Sequence, residues 1–161
     1  MAAEAETEKL QNASFSLCTG EYKNTMDEKG RILFPTKLRS ALNASSFIIT
    51  QGLDNCLWIF TQSEWQNLCA KIMESASVFN TQNRLVLRRF IAPAQEIEID
   101  AAGRLSVPQV LREYASLSKD CVVLGVSKYI ELWDADIYRT YLEQSDSSFK
   151  EATEVLSSIY F

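Results

Sequence analysis

Asp27-Glu28-Lys29-Gly30-Arg31-Ile32-Leu33-Phe34-Pro35 has a second copy 73 residues further on, Asp100-Ala101-Ala102-Gly103-Arg104-Leu105-Ser106-Val107-Pro108. The register holds outward from this stretch without a gap. Leu38-Arg39 falls on Leu111-Arg112, Gly52 on Gly125, Leu57 on Ile130, Ile59 on Leu132, Phe60 on Trp133 and Trp65 on Tyr138. Apolar and aromatic positions therefore repeat together with the motif, as expected of a duplicated structural unit. A period this long exceeds that of short solenoid repeats and suits two halves packed as a pseudo-dimer.

Each copy of the motif is a turn with a chemical logic. An Asp at its entry can accept backbone N–H bonds, and a Gly at its fourth position can take a positive φ, so the Arg that follows is held in a defined place. In the first half, a polar strand Cys18–Asn24 leads into this turn, followed by the short strand Ile32-Leu33-Phe34 and a short helix Pro35–Leu42, with Pro suited to a helix start. Strands Ser46–Thr50 and Cys56–Phe60 follow across a Gly52-Leu53-Asp54-Asn55 turn. An amphipathic helix then begins at Ser63, with Trp65, Leu68, Cys69 and Ile72 on one side. The second half repeats the order: strands Gln95–Ile99 and Arg104–Val107, helix Pro108–Ala115, strands Cys121–Val126 and Tyr129–Trp133, and helix Ala135–Leu142. Between the halves Thr81–Ile91 reads as helix, and Ser147–Phe161 reads as a last amphipathic helix with Phe149, Val155, Leu156, Ile159 and Tyr160 as its apolar side.

At 161 residues and 47% apolar content, the chain can bury one good core or two small ones sharing an interface. Its net charge of −5 taken alone argues against a polyanion partner. The distribution is uneven: residues 21–39 carry five bases and three acids, residues 71–112 six and four, while acids outnumber bases from Glu131 to the end. Positive charge is thus concentrated around the two motifs and the segment joining them. Met1–Leu10 lacks the basic start and apolar run of a secretory signal, and no stretch approaches a membrane span, so the chain reads as cytoplasmic. The absence of histidine removes the commonest general base and the usual nitrogen ligand of zinc. Cys18, Cys56, Cys69 and Cys121 show no ligand spacing, and no phosphate-cradling G-x-x-x-x-G-K-[ST] loop is present. No enzyme, metal site, cofactor or small-molecule substrate is expected.

The ordered set of Asp-x-x-Gly-Arg with Pro and Leu-Arg, Cys56-Leu57-Trp58-Ile59-Phe60, Trp65, Arg84 and Arg88, the second Asp-x-x-Gly-Arg, Leu111-Arg112-Glu113-Tyr114-Ala115 and Glu131-Leu132-Trp133-Asp134 resembles the MraZ family. The resemblance runs from about Phe15 to Leu142, and each half is similar to the DNA-binding unit of AbrB and SpoVT. It implies an α+β protein of two tandem AbrB-like swapped-hairpin units around a pseudo-symmetric β-barrel-like core with flanking helices. On this reading residues 1–14 are a disordered tail, 15–66 the first unit, 67–93 a helical connector, 94–138 the second unit and 139–161 an acidic helical tail. The implied function is that of a sequence-specific transcription regulator of the division and cell-wall gene cluster, nucleoid-associated. It would bind direct repeats in double-stranded promoter DNA, its own promoter included, as a ring-shaped homo-oligomer.

The DNA-facing candidates are Asp27, Lys29, Gly30, Arg31, Lys37 and Arg39 in the first half and Asp100, Gly103, Arg104 and Arg112 in the second. Arg can reach guanine edges or phosphates, which gives Arg31 and Arg104 their interest. The plainer use of the same residues is structural, with Asp27–Arg31 and Asp100–Arg104 as ion pairs that staple two hairpins. Arg39 and Arg112 suit either phosphates or neighbouring acids. Arg84, Arg88 and Arg89 suit either a positive face or subunit pairing with the acidic tail. Because Ala102 and Val110 stand where the first half has Lys29 and Lys37, the first half is expected to contribute more to DNA affinity. The alternative from another class is an oligomeric interaction or scaffold module that binds no DNA.

Overall fold

The structure is a computed structural model that describes residues 18–75 and 77–160. The expected disorder of the N-terminal tail lies outside these residues. Elements follow one another as β1 (Glu21–Thr25), β2 (Arg31–Leu33), α1 (Thr36–Leu42), β3 (Ser46–Gln51), β4 (Leu57–Phe60), α2 (Gln62–Ser75), α3 (Thr81–Val86) and a π-helical turn (Leu87–Ile91). The second half continues with β5 (Gln95–Glu98), β6 (Arg104–Ser106), α4 (Gln109–Tyr114), β7 (Asp120–Val126), β8 (Tyr129–Asp134), α5 (Ala135–Gln144) and α6 (Asp146–Tyr160). This is a mixed α+β fold in which the predicted order of elements recurs in both halves.

Pairing exchanges strands between the halves. The six-stranded antiparallel sheet runs β1-β7-β8-β4-β3-β5, so it reads the same from either end when each strand is replaced by its repeat equivalent. β1 of the first half lies on β7 of the second, with Lys23 opposite Val122, and β5 of the second half lies on β3 of the first, with Ile97 opposite Phe47. At the pseudo-dyad β2 pairs with β6, Ile32 facing Leu105.

The barrel-like core expected from the resemblance does not close. β1 and β5 remain the edges of the six-stranded sheet, and β2–β6 is a separate two-stranded ladder. Only the single bridges Met26 to Ile32 and Ile99 to Leu105 link strand to strand within each hairpin before the turn reverses the chain. One bridge is too short a ladder to join two sheets.

Repeat-related residues fill the core. Ile32 and Leu105, Phe34 and Val107, and Leu38 and Leu111 come from the hairpins and short helices and pack on Phe47, Ile49, Leu57, Ile59, Cys121, Val123, Ile130 and Leu132 from the sheet. α1 and α4 start alike at prolines with φ −56°. They stop alike too, since Asn43 and Ser116, equivalent in the repeat, both take left-handed conformations with φ 45° and 51°. The other face of the sheet is aromatic. Trp58 meets Tyr129 at 4.5 Å, Trp65 meets Phe90 at 5.4 Å and Trp133 meets Tyr138 at 5.2 Å. The Glu131 carboxylate accepts both indole N–H groups, from Trp58 at 2.9 Å and Trp133 at 3.1 Å. These rings are therefore packing groups.

The helix expected over Thr81–Ile91 forms but changes pitch at Leu87. Thr50, fully buried in β3, donates its hydroxyl to the Phe90 carbonyl at 2.6 Å, which ties the wider turn to the sheet. No helix among the described residues is long and apolar enough to cross a membrane.

Candidate nucleic-acid interface

Both motif turns are built with the same bonds. Asp27 N–H donates to the Arg31 carbonyl at 2.9 Å and Gly30 N–H to the Asp27 carbonyl at 3.0 Å; Asp100 with Arg104, and Gly103 with Asp100, repeat these at 2.9 and 3.0 Å. Asp27 Oδ1 accepts the N–H groups of Lys29 and Arg31, at 3.0 and 2.9 Å, and Asp100 Oδ1 those of Ala102 and Arg104, both at 2.9 Å. Gly30 and Gly103 take φ of 77° and 81°, the left-handed region in which a Cβ is strained. The backbone N–H of Arg31 leads the bonds that hold the Asp27 carboxyl below the usual carboxylate range, and that of Arg104 does the same for Asp100.

Arg31 Nε donates to Asp27 Oδ2 at 2.7 Å and Arg104 Nε to Asp100 Oδ2 at 3.2 Å. The ion pairs anticipated as the plainer use of these residues thus exist. They lie within each turn, and surface pairs of this exposure contribute little to stability. The carboxylate engages Nε, and the terminal nitrogens of Arg31 and Arg104 make no hydrogen bond among the described residues; Arg104 Nη1 also lies 3.9 Å from Asp27 Oδ2. Each guanidinium is oriented without being consumed.

The two turns are held together at the pseudo-dyad. Phe34 N–H donates to the Gly103 carbonyl and Val107 N–H to the Gly30 carbonyl, both at 2.9 Å, so each half's chain closes on the other half's turn. Arg39 and Arg112 cross over in the same way. A Cβ added to Gly30 would fall inside the Arg112 guanidinium, and one added to Gly103 would come within 2.8 Å of Arg39 Nη1. Neither arginine forms an ion pair among the described residues. Arg112 Nε is buried without a hydrogen-bond partner, whereas Arg39 is exposed. One group thus comprises Asp27, Lys29, Gly30 and Arg31 with Arg112 from the other half; the second comprises Asp100, Gly103 and Arg104 with Arg39.

Lys29 is exposed at the tip of the first turn, and Lys37 is exposed on α1, hydrogen-bonded to neither turn. Glu28 and Glu113 border a shallow cleft beside Arg112 and Lys119, so this rim is mixed in charge. Two features escaped the sequence reading. Leu33, read as part of an apolar strand, is half exposed between buried Ile32 and Phe34, which their alternation could have signalled. Asn24 donates its side-chain amide to the Leu33 carbonyl at 2.7 Å, bracing β1 against β2, and nothing in the sequence marks it.

The family described as "MraZ protein, putative antitoxin-like" matches the chain twice, over residues 17–89 and 90–158. The chain belongs to the MraZ family. A relative from Treponema denticola named "Transcriptional regulator MraZ" is 55% identical, the match covering 89% of this chain and 99% of the relative. Proteins of the same name from two strains of Treponema pallidum are 45% identical over 88% of this chain and 95% of theirs. Both MraZ matches contain one Asp-x-x-Gly-Arg turn each.

The described residues contain no group of three or more Cys, Asp or Glu placed to hold a metal ion. All four cysteines are free thiols, with Cys18, Cys56 and Cys121 buried. Burial pushes the Cys56 thiol up, and the Cys121 thiol to about 12, away from the range of a reactive thiolate.

Proposed function

We propose that this chain is a DNA-binding transcription regulator. In this reading it binds direct repeats in the promoter of a division and cell-wall gene cluster, including its own promoter, as a ring of identical subunits in the cytoplasm at the nucleoid. The observation that carries the reading is the paired turn: two identical Asp-x-x-Gly-Arg devices, interlocked at the pseudo-dyad, each fixing an arginine through Nε and leaving its outer edge for a partner. Arg31 and Arg104 read base edges or phosphates, Lys29, Lys37 and Arg39 seat the backbone, and Asp27, Gly30, Asp100 and Gly103 set the geometry. Arg112 acts through the Gly30 turn that it covers. The family names agree with this reading, and it calls for no catalysis, cofactor, metal or small-molecule substrate.

A chain of net charge −5 with so few bases at its reading face binds weakly as a single copy. Subunits engaging successive repeats turn each later contact into an intramolecular one and raise affinity without new contacts. The test is binding to promoter DNA from upstream of its own gene across a salt series. A fragment with several repeats should lose affinity steeply as salt rises, and a one-repeat fragment should bind far more weakly. Equal affinities for the two fragments would remove the multivalent mechanism, and no binding at low salt would favour the interaction-module alternative.

A further inference from the structure

α6 carries a stripe that nothing among the described residues covers. Phe149, Leu156 and Ile159 follow at spacings of seven and three, with Val155 four before Ile159, and these four side chains are 53–67% exposed. α6 has 15 residues, and its principal contact within the chain is with α5. An isolated helix of this length is marginal in water, so the stripe calls for a partner. Around it stand Asp146, Glu151 and Glu154, while Lys150 is held by Asp146 at 3.5 Å.

The connector is the complement of this surface. Residues 77–91 contain Arg84, Arg88 and Arg89 and no acid. Val78, Phe79, Leu85 and Val86 are exposed there, Phe79 at 91%. Arg84 is used internally, donating to the Val78 carbonyl at 3.0 Å and to Thr81 Oγ1 at 3.2 Å, and so fixes the loop that displays Phe79. Arg88 and Arg89 are exposed and make no hydrogen bond or ion pair among the described residues.

We infer that α6 of one copy docks on the connector of a second copy, apolar stripe on apolar patch and acids facing Arg88 and Arg89. Pairing α6 with another α6 would set like charges together, which the acidic flank disfavours. A contact between two different surfaces of identical chains is head-to-tail, and it generates a ring when the rotation closes. The inference rests on the assembly part of the proposed function and gives it an address.

Two double variants, L156D/I159D on α6 and R88E/R89E on the connector, test it by size-exclusion chromatography with light scattering on the full chain. Neither alters a residue of the motif turns, and circular dichroism checks that both stay folded. Wild type should be a closed oligomer and each variant alone should have single-chain mass. Mixed, they should form a one-to-one dimer and nothing larger, because only one intact α6 and one intact connector remain to meet. Assembly of R88E/R89E as in wild type, with L156D/I159D monomeric, would mean that α6 pairs with itself and overturns the inference. So would a monomeric wild type, wild-type assembly of both variants, or a mixture that stays monomeric. Repeat-dependent DNA binding is measured in parallel: dimer complementation without DNA binding would remove the functional reading and keep this interface, and the converse would keep the reading and remove the interface.

Discussion

The Gly30 turn and the Gly103 turn share a backbone and differ in what they present. In both, a carboxylate accepts two N–H groups and an Nε, and a glycine sits at φ near 80° under an arginine from the other half. Yet Lys29 faces Ala102 across the repeat, and Lys37 faces Val110. Arg112 closes over Gly30 with its Nε buried, whereas Arg39 over Gly103 stays exposed. Arg104 also leans toward Asp27 at 3.9 Å with no reciprocal contact from Arg31 to Asp100 among the described residues. Duplication has kept the groups that build the turn and let those at its rim diverge, so core changes should affect the halves alike and rim changes should not.

The largest effect tests the equivalence. Leu38 and Leu111 are fully buried, repeat-related members of one core. Leu38→Ala and Leu111→Ala should each cost roughly 3 kcal/mol, the usual size for a truncated core leucine, and should agree to within about 1 kcal/mol. Urea denaturation measures both. A large cost at one site and almost none at the other would show that the halves do not share a core.

Next comes the asymmetry of the rim. Arg31→Ala should weaken binding to repeat DNA by about tenfold or more, in line with roughly 1–3 kcal/mol for a reading arginine, and Arg104→Ala should weaken it less. The reason is the basic company of Arg31 in its own turn: Lys29 stands at the tip of the Gly30 turn, where the Gly103 turn has Ala102. Chromatography and circular dichroism should show both variants assembled and folded. If Arg31→Ala breaks the oligomer while affinity per assembled particle is unchanged, the arginine is an interface staple.

Local features were legible because they depend on residues near in sequence. The Asp-x-x-Gly-Arg turn, the positive φ of Gly30 and Gly103, the proline starts of α1 and α4 and the alternation of strands and helices all follow from spacing. What stayed hidden depends on which half folds over which. Read locally, Arg39 belongs with Gly30; strand exchange puts it on Gly103 and puts Arg112 on Gly30. The unclosed sheet was hidden for a related reason, since each hairpin adds a single bridge, Met26 to Ile32 and Ile99 to Leu105, while β2 and β6 pair with each other across the halves. The wider turn that begins at Leu87 is tied to the sheet by the buried hydroxyl of Thr50, 40 residues away from Phe90.

The smallest effect concerns the approach of Arg104 to Asp27, which has no mirror image among the described residues. Asp27 and Asp100 have carboxyls held below their ordinary range, chiefly by the backbone N–H groups of Arg31 and Arg104. A group whose folded value lies below its unfolded one contributes stability that is present above the unfolded value, near pH 4, and is lost as pH falls through the folded value. Asp27→Asn and Asp100→Asn should therefore each lower stability slightly at neutral pH, with the difference from wild type vanishing in acid. Both carboxylates are more than a third exposed and hold the same set of donors, so the two variants should trace the same curve of urea midpoint against pH. A clearly greater loss for Asp27→Asn would mean that the 3.9 Å approach of Arg104 contributes to stability, and that the turns are coupled by charge as well as by the backbone bonds of Phe34 and Val107.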